Sequence, residues 1–180
     1  MTDKSDPLVI LETDRLILRR QQTADVSFLV DLWSDPEATR YLSGPRDRSF
    51  LLAEFEKTAA HPTAEVYDLW PVVEKESNHL VGHSGLLDKD IEGKTEIELN
   101  YIFSPSVWGR GYATEMGRAI RRWARETMGL SRLIALIEPD NLASQRVAVK
   151  VGMHLEKEII RPGGARKKLF LVEDETPVHR

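Results

Sequence analysis

Trp108-Gly109-Arg110-Gly111-Tyr112-Ala113-Thr114-Glu115 stands between a stretch of strand character that closes at Ser104-Pro105 and one of helical period that runs to Gly129. Glycine lets the backbone approach a ligand closely and adopt left-handed conformations that other residues avoid. The first N–H groups of the following helix have no partner within it and point outward with the positive end of the helix dipole. Strand, glycine turn and helix start in that order make a cradle for an anion, a pyrophosphate among them. Alone the pattern is weak, because glycine turns before helices also serve only to reverse the chain.

Immediately upstream, Thr95 to Phe103 alternates as a strand does. Ile97, Leu99, Tyr101 and Phe103 share one face, predicted to be apolar and buried; Glu96, Glu98, Asn100 and Ile102 share the other, which begins acidic. Two earlier strands are expected, one through Trp70-Pro71-Val72-Val73 and one from Leu80 to Leu87, with a turn around Ser77-Asn78 between them. Downstream, Ala113, Met116, Ile120, Trp123 and Ala124 recur at helical spacing up to Gly129. Leu133 to Ile137 is apolar on both faces, as a parallel interior strand reached by a crossover helix should be. Asn141 to Val151 reads as a further helix stopped by Gly152, and two last strands flank Pro162-Gly163-Gly164.

The first third reads differently. One strand through Leu16, Ile17 and Leu18 closes on Arg19-Arg20, and Thr23 is placed to cap a helix whose apolar face is Val26, Leu29, Val30 and Trp33. Pro36 is expected to restart a short helix, and Phe50, Leu51, Phe55 and Ala59 a longer one ending near His61-Pro62.

Composition bounds the rest. The chain has 180 residues, 41% hydrophobic and 30% charged, enough for one domain with a full core. A single domain over 1–180 is expected, its core about 9–174, with no internal repeat and no dividing linker. The net charge of -4 gives no field for specific nucleic-acid binding, so any polyanion site must be local. The absence of cysteine excludes disulfides, thiolate metal sites and thiol catalysis, and suits a reducing, cytoplasmic setting. Met1 to Pro7 lacks a basic-then-apolar leader pattern, and no apolar run approaches the ~20 residues of a membrane span.

Three phosphate-binding readings compete for the glycine turn. Gly93-Lys94-Thr95 imitates the end of a P-loop, but Asp88 occupies the required earlier glycine position and a strand follows where a helix should. A dinucleotide fingerprint needs a small residue where Thr114 stands and an acidic one after the next strand, for which Glu138 is a loose match. Consecutive antiparallel-looking strands ahead of the turn are also the wrong setting for it. The third reading rests on resemblance. Trp108, Gly111 and Ala113 fall on a motif of Gln or Arg, two variable residues, Gly, one variable residue, then Gly or Ala, with Trp108 departing from it. That motif is the core signature of the GNAT superfamily of acetyltransferases, which the chain resembles. Within it, the branch of ribosomal-protein N-terminal acetyltransferases usually carries Trp-Gly-x-Gly-Tyr-Ala-Thr-Glu, the run from Trp108 to Glu115. Leu11 to Arg19 is similar to that branch's opening strand, Trp33 to Gly44 to its following helices, and Glu98-Leu99-Asn100-Tyr101 to its fourth strand, with Asn100 where the family usually has glycine. Asn141 and Ser144, then Lys150-Val151-Gly152, resemble its Asn-x-x-Ser helix and Lys-x-Gly ending.

The resemblance implies an α+β fold, layered α/β/α: a mixed, mainly antiparallel sheet of about seven strands between helices, splayed between the fourth and fifth strands. It implies acetyl-CoA as acyl donor, its pantetheine paired with backbone near Ile102 and Phe103. The backbone of Trp108, Gly109, Arg110, Gly111, Tyr112, Ala113 and Thr114 would then cradle the pyrophosphate. Asn141 would bond pantetheine, and Ser144 would serve the departing thiolate; capping of the helix is the plainer role for Asn141. Lys150 is a weaker candidate for the cofactor phosphates. A strand N–H would face the oxyanion formed when an amine attacks the thioester.

That amine, a protein N-terminus or a small molecule, must lose a proton. An α-amine with pKa about 8 does so far more readily than lysine at about 10.4. Glu98 is the first choice of base, acting directly or through a water, with Glu96 behind it and a solvated or ion-paired glutamate as the plain alternative. Arg118, Arg121, Arg122 and Arg125 form a helical stripe read as a solvated face, or as a surface for an acidic partner. His79 and His83 lie about 13 Å apart along a strand, too far to share a metal, so no metal site is expected. A non-catalytic acyl-CoA-binding domain and a nucleotide-binding interaction module remain as alternatives. The acceptor and the oligomeric state, a homodimer included, stay open.

Overall fold

The computed structural model describes residues 8–63 and 65–174. Met1 to Pro7, read above for leader features, lie outside them. The opening strand is two strands, β1 (Val9–Glu12) and β2 (Leu16–Arg19), paired antiparallel. Thr13 breaks the run: its Oγ1 accepts the Leu16 N–H at 2.9 Å, and a side chain that bonds backbone close by favours a turn over a continuous strand. Leu16 and Leu18 still point inward and are fully buried.

Helix α1 (Val26–Ser34) buries Val26, Leu29, Val30 and Trp33, as their spacing requires. Its entry is secured by Asp25 in place of the expected Thr23. The Asp25 carboxylate accepts the Gln22 N–H at 2.7 Å and takes the Arg19 guanidinium on both oxygens, at 2.7 and 2.8 Å. The short helix expected after Pro36 is a succession of turns. Asp35 Oδ1 accepts from Glu37 N at 2.7 Å, and Ser43 and Gly44, at φ of +73° and +80°, end the segment before a helix can propagate. Helix α2 (Arg48–Ala60) starts on Asp47, whose carboxylate accepts from Phe50 N at 2.8 Å.

Strands β3 (Leu69–Glu74), β4 (Leu80–Ile91) and β5 (Lys94–Phe103) follow, then α3 (Tyr112–Met128), β6 (Arg132–Ile137), α4 (Leu142–Val151), β7 (His154–Ile160) and β8 (Arg166–Glu173). They form one eight-stranded sheet in the order β1-β2-β3-β4-β5-β6-β8-β7. Every neighbouring pair is antiparallel except β5 and β6, joined through the α3 crossover. The fold class is the expected one, and the divided opening strand makes the count eight. The family's fourth and fifth strands are here β5 and β6.

Two layers cover the sheet. Met116, Ile120 and Ala124 of α3 and Ala148 and Val151 of α4 pack on Leu99, Phe103, Ala135 and Phe170. On the other face Val30 and Trp33 of α1 and Leu51 of α2 close over Leu69 and Ile102. Burying each such large side chain is worth about 1.5–3 kcal/mol. A Cβ on Gly117 of α3 would lie 2.8 Å from Val151 Cγ2, so the missing side chain lets α4 close on α3. Gly111 and Gly129 cap α3 at its two ends with positive φ.

Candidate active site

The parallel pair β5 and β6 registers only at Glu98↔Ile134 among the described residues. Below that point Glu96 binds the strands together: Arg132 Nε lies 2.9 Å from its Oε2, and Lys94 3.1 Å from Oε1. Burial opposes ionisation of Glu96, but these cations outweigh it and hold its carboxyl below the usual range. Above Glu98 the strands part, and a cavity of about 470 Å³ occupies the opening. Its wall takes in β5 from Glu98 to Phe103, the glycine turn, the end of β6, the first turns of α4, and residues 37, 38 and 40–42 of the turn segment.

Of the expected site residues, Glu98, Ile102, Phe103, Trp108, Gly109, Gly111, Tyr112, Ala113, Thr114, Asn141, Ser144 and Lys150 all border this cavity. Arg110 does not. Its guanidinium turns outward to Glu74 at 2.8 Å and stacks over the Tyr112 ring at 4.8 Å. Within the turn, Trp108 N–H donates to Pro105 O at 3.2 Å and Arg110 N–H to Val107 O at 3.4 Å. Gly109 and Gly111 take φ of +77° and +82°. The first helical bond runs from Glu115 N to Gly111 O at 3.0 Å, so the N–H groups of Tyr112, Ala113 and Thr114 have no partner within the helix. These are the donors available to an anion. The Trp108 indole, half exposed, donates to Phe103 O at 2.9 Å and joins the turn to the end of β5.

The acidic face of β5 is buried, contrary to a solvated reading: Glu96 is 7% and Glu98 4% exposed. Glu98 Oε1 accepts the Leu136 N–H at 3.3 Å and Oε2 lies 3.8 Å from Lys89 Nζ. Burial pushes its carboxyl up, against the pull of Lys89 and the Leu136 N–H. Asn141 Oδ1 caps α4, accepting from Ser144 N at 3.1 Å. Ser144 Oγ lies 2.8 Å from the Tyr101 hydroxyl, and burial pushes the Tyr101 phenol up to about 12. The sequence placed Tyr101 on an apolar face and in the run that resembles the family's fourth strand, with no role of its own. A tyrosine amid apolar neighbours needs a partner for its hydroxyl, and that was the available signal.

His83 is away from the cavity. It accepts from Trp33 Nε1 at 3.0 Å through Nδ1, and burial pushes its pKa down to about 3, so it is neutral. Nor is the arginine stripe wholly solvated. Arg121 binds Asp174 and donates to Val151 O at 2.7 Å, while Arg118 donates to Lys150 O at 2.8 Å, so the two arginines cap the end of α4. Among the described residues no cluster of three or more His, Asp or Glu could hold a metal, and no helix is long and apolar enough to cross a membrane.

Two distant stretches meet behind the glycine turn. Glu115 accepts from Thr13 Oγ1 at 2.6 Å, Arg15 N at 3.0 Å and Arg15 Nε at 2.7 Å. Arg15 also donates to Arg110 O at 2.9 Å and stacks over Tyr112 at 4.7 Å. Burial works against the Glu115 charge, but these donors prevail and hold its carboxyl below the usual range. A carboxylate depressed in the folded state stabilises fully above its unfolded pKa and loses that contribution as pH falls through the folded value. Glu115→Gln is therefore expected to lower the thermal midpoint at pH 7. The gap to the parent should close as pH drops below about 4.3, the ordinary glutamate value; a gap independent of pH would contradict the charge assignment.

A mixed sheet that opens at its one parallel junction, with an unpaired helix start at the mouth, defines a GNAT-type acyltransferase architecture. The chain belongs to the GNAT acetyltransferase family: the model of the "Acetyltransferase (GNAT) domain" matches residues 15–154. The Bacillus subtilis protein YkkB is 33% identical over 150 residues, 83% of this chain and 87% of that one. A GNAT-family acetyltransferase from Bacillus anthracis superposes with a TM-score of 0.77 at 24% identity, covering 93% of this chain and 99% of that one. At 16% identity, the fold is also that of a Vibrio cholerae spermidine N-acetyltransferase solved with CoA and spermine, TM-score 0.74, covering 93% of this chain and 100% of that one. A ribosomal L7/L12 α-N-protein acetyltransferase in complex with coenzyme A is similar too, with TM-score 0.75 and 16% identity over 93% of this chain and 98% of that one.

Proposed function

We propose that the chain transfers the acetyl group of acetyl-CoA to a primary amine, by direct attack in a ternary complex. The observation that carries this reading is one cavity bordered by the glycine turn, the opening above Glu98↔Ile134 and the segment from Glu37 to Leu42. The unpaired N–H groups of Tyr112, Ala113 and Thr114 would take the pyrophosphate. The edge of β5 from Leu99 to Phe103, without a β6 partner, would take pantetheine as a sheet takes an added strand. Glu98 would receive the amine's proton, directly or through a water, its raised pKa bringing it closer to that of the amine. With no cysteine in the chain, a thioester-bound enzyme intermediate is not available.

The acceptor is a protein N-terminal α-amine, as for the L7/L12 enzyme, or a small-molecule amine, as for the spermidine enzyme. The run from Trp108 to Glu115 favours the ribosomal-protein branch. Acetyl-CoA is expected to raise the thermal midpoint through binding linkage, and a dinucleotide is not. Thiol release on a panel of N-terminal peptides, polyamines and aminoglycosides, with mass spectrometry of the acceptor, then tests transfer. No stabilisation by any CoA ester would refute donor binding; binding without turnover on any amine would leave an acyl-CoA-binding domain.

A further inference from the structure

Tyr101 and Ser144 meet where β5 and α4 face each other across the cavity wall. The phenol oxygen lies 2.8 Å from Ser144 Oγ and 3.2 Å from the Ser144 carbonyl oxygen, so its single proton has Oγ as the nearer of two acceptors. A serine in a helix ordinarily spends its hydroxyl on backbone nearby. Ser144 Oγ instead meets a residue 43 positions away in sequence. A phenylalanine would complete the apolar face that Tyr101 shares with Leu99 and Phe103, so packing accounts for the ring and leaves the hydroxyl unexplained.

Resting on the function proposed above, we propose that Tyr101 is a positioning residue for thioester cleavage: its hydroxyl holds Ser144 Oγ so that Ser144 donates a hydrogen bond to the departing CoA sulfur. When the tetrahedral intermediate collapses, the carbon–sulfur bond breaks and its electron pair stays on sulfur. The thiolate accepts from Ser144, and Ser144 accepts from Tyr101. No proton crosses this chain. The phenol, pushed up to about 12 by burial, holds its proton far more tightly than a thiol of pKa about 8.5. CoA leaves as the thiolate, and the amine's proton goes to Glu98 and then to solvent. Hydrogen bonds in series polarise one another, and donors fixed before the reaction need no reorganisation as charge develops. The charged groups bordering the cavity are Glu37 and Arg40 of the turn segment, Glu98 of β5, Glu138 beyond β6, and Arg146 and Lys150 of α4. Of these Glu98 bears on Tyr101, and its charge also favours the neutral phenol.

The test is the ionisation of the thiol of bound CoA, followed by its ultraviolet thiolate absorbance in the parent, Tyr101→Phe, Ser144→Ala and the double variant, with CoA affinity measured by calorimetry. The bound thiol is expected to ionise below the ordinary value of about 8.5 in the parent and to return toward it in all three variants. In turnover, Tyr101→Phe should lower kcat about tenfold or more while KM for acetyl-CoA stays within about twofold. The double variant should be no slower than Ser144→Ala, because Tyr101 acts through that residue. An unshifted thiol in a parent protein that binds CoA, or additive losses in the double variant, would overturn the inference and leave the proposed function standing. A parent protein that does not bind CoA would overturn both.

Discussion

Gly111→Val is expected to abolish acetyl-CoA binding, raising Kd by at least about 100-fold, which is roughly 2.7 kcal/mol. Gly111 has φ of +82° and caps the N-terminus of α3, so its geometry sets where the N–H groups of Tyr112, Ala113 and Thr114 point. A β-branched residue in that region is strained by about 1–3 kcal/mol and relieves the strain by moving the turn. Packing is not the cause, since the nearest atom to a Cβ there is an Arg15 guanidinium nitrogen at 3.6 Å. The core of α3, including Met116 and Ile120, lies further along the helix and is fully buried, so the helical circular-dichroism signal should survive. Calorimetric titration with acetyl-CoA reads the effect. Affinity within tenfold of the parent would show that the helix start does not hold the cofactor.

Glu98→Gln has the second largest expected effect: kcat falls about 10²–10⁴-fold, the usual cost of losing a positioned base. Its pH signature is specific. Burial raises the Glu98 carboxyl, so the ionised, proton-accepting form fades at a higher pH than an ordinary glutamate would, and the acid limb of the kcat profile should lie above about 4.3. The variant should lose that limb. Stability should move the other way. A carboxyl whose folded pKa exceeds its unfolded value costs stability as pH rises from the unfolded value through the folded one, and glutamine removes that cost while its Oε1 can still accept the Leu136 N–H. A thermal midpoint at pH 7 equal to or above the parent's, together with slow turnover, is the expected pair. Unchanged kcat would remove Glu98 from the mechanism.

Periodicity made most of the fold legible. The alternation from Thr95 to Phe103 and the doubly apolar Leu133–Ile137 are local patterns, and each became the strand it predicts. Parity also grouped Ile97, Leu99, Tyr101 and Phe103 on one face of β5, the face that packs against α3. What it could not supply was the burial of the acidic side, because that depends on Lys89 of β4 and Arg132 of β6 as well as on Lys94 at the start of β5. The short opening hairpin was hidden for a related reason: Leu11 to Arg19 reads as one extended run until Thr13 is seen to bond Leu16. After Pro36, the local rule for restarting a helix lost to the side chain of Asp35 and the left-handed pair Ser43 and Gly44.

The site was legible as a set of positions and not as a set of contacts. Resemblance drew Glu98, Trp108 to Thr114, Asn141, Ser144 and Lys150 together, and all of them except Arg110 border one cavity. Arg110 departs because Glu74, on a strand distant in sequence, draws its charge outward. The clasp of Thr13 and Arg15 on Glu115 and the pairing of Tyr101 with Ser144 join residues roughly a hundred and 43 positions apart. No period or spacing encodes such meetings; the topology of the sheet does.

Amide hydrogen exchange with and without acetyl-CoA tests the central claim most directly, because it locates the donor on the chain without assuming an acceptor. Protection is predicted to rise in Leu99 to Phe103, where β5 parts from β6, and in Gly111 to Thr114, where α3 begins. The helices α1 and α2 and the outer strands β1 and β7 should change little. Binding accompanied by protection elsewhere, with both of those segments unaltered, would contradict the placement of the cofactor and with it the catalytic account.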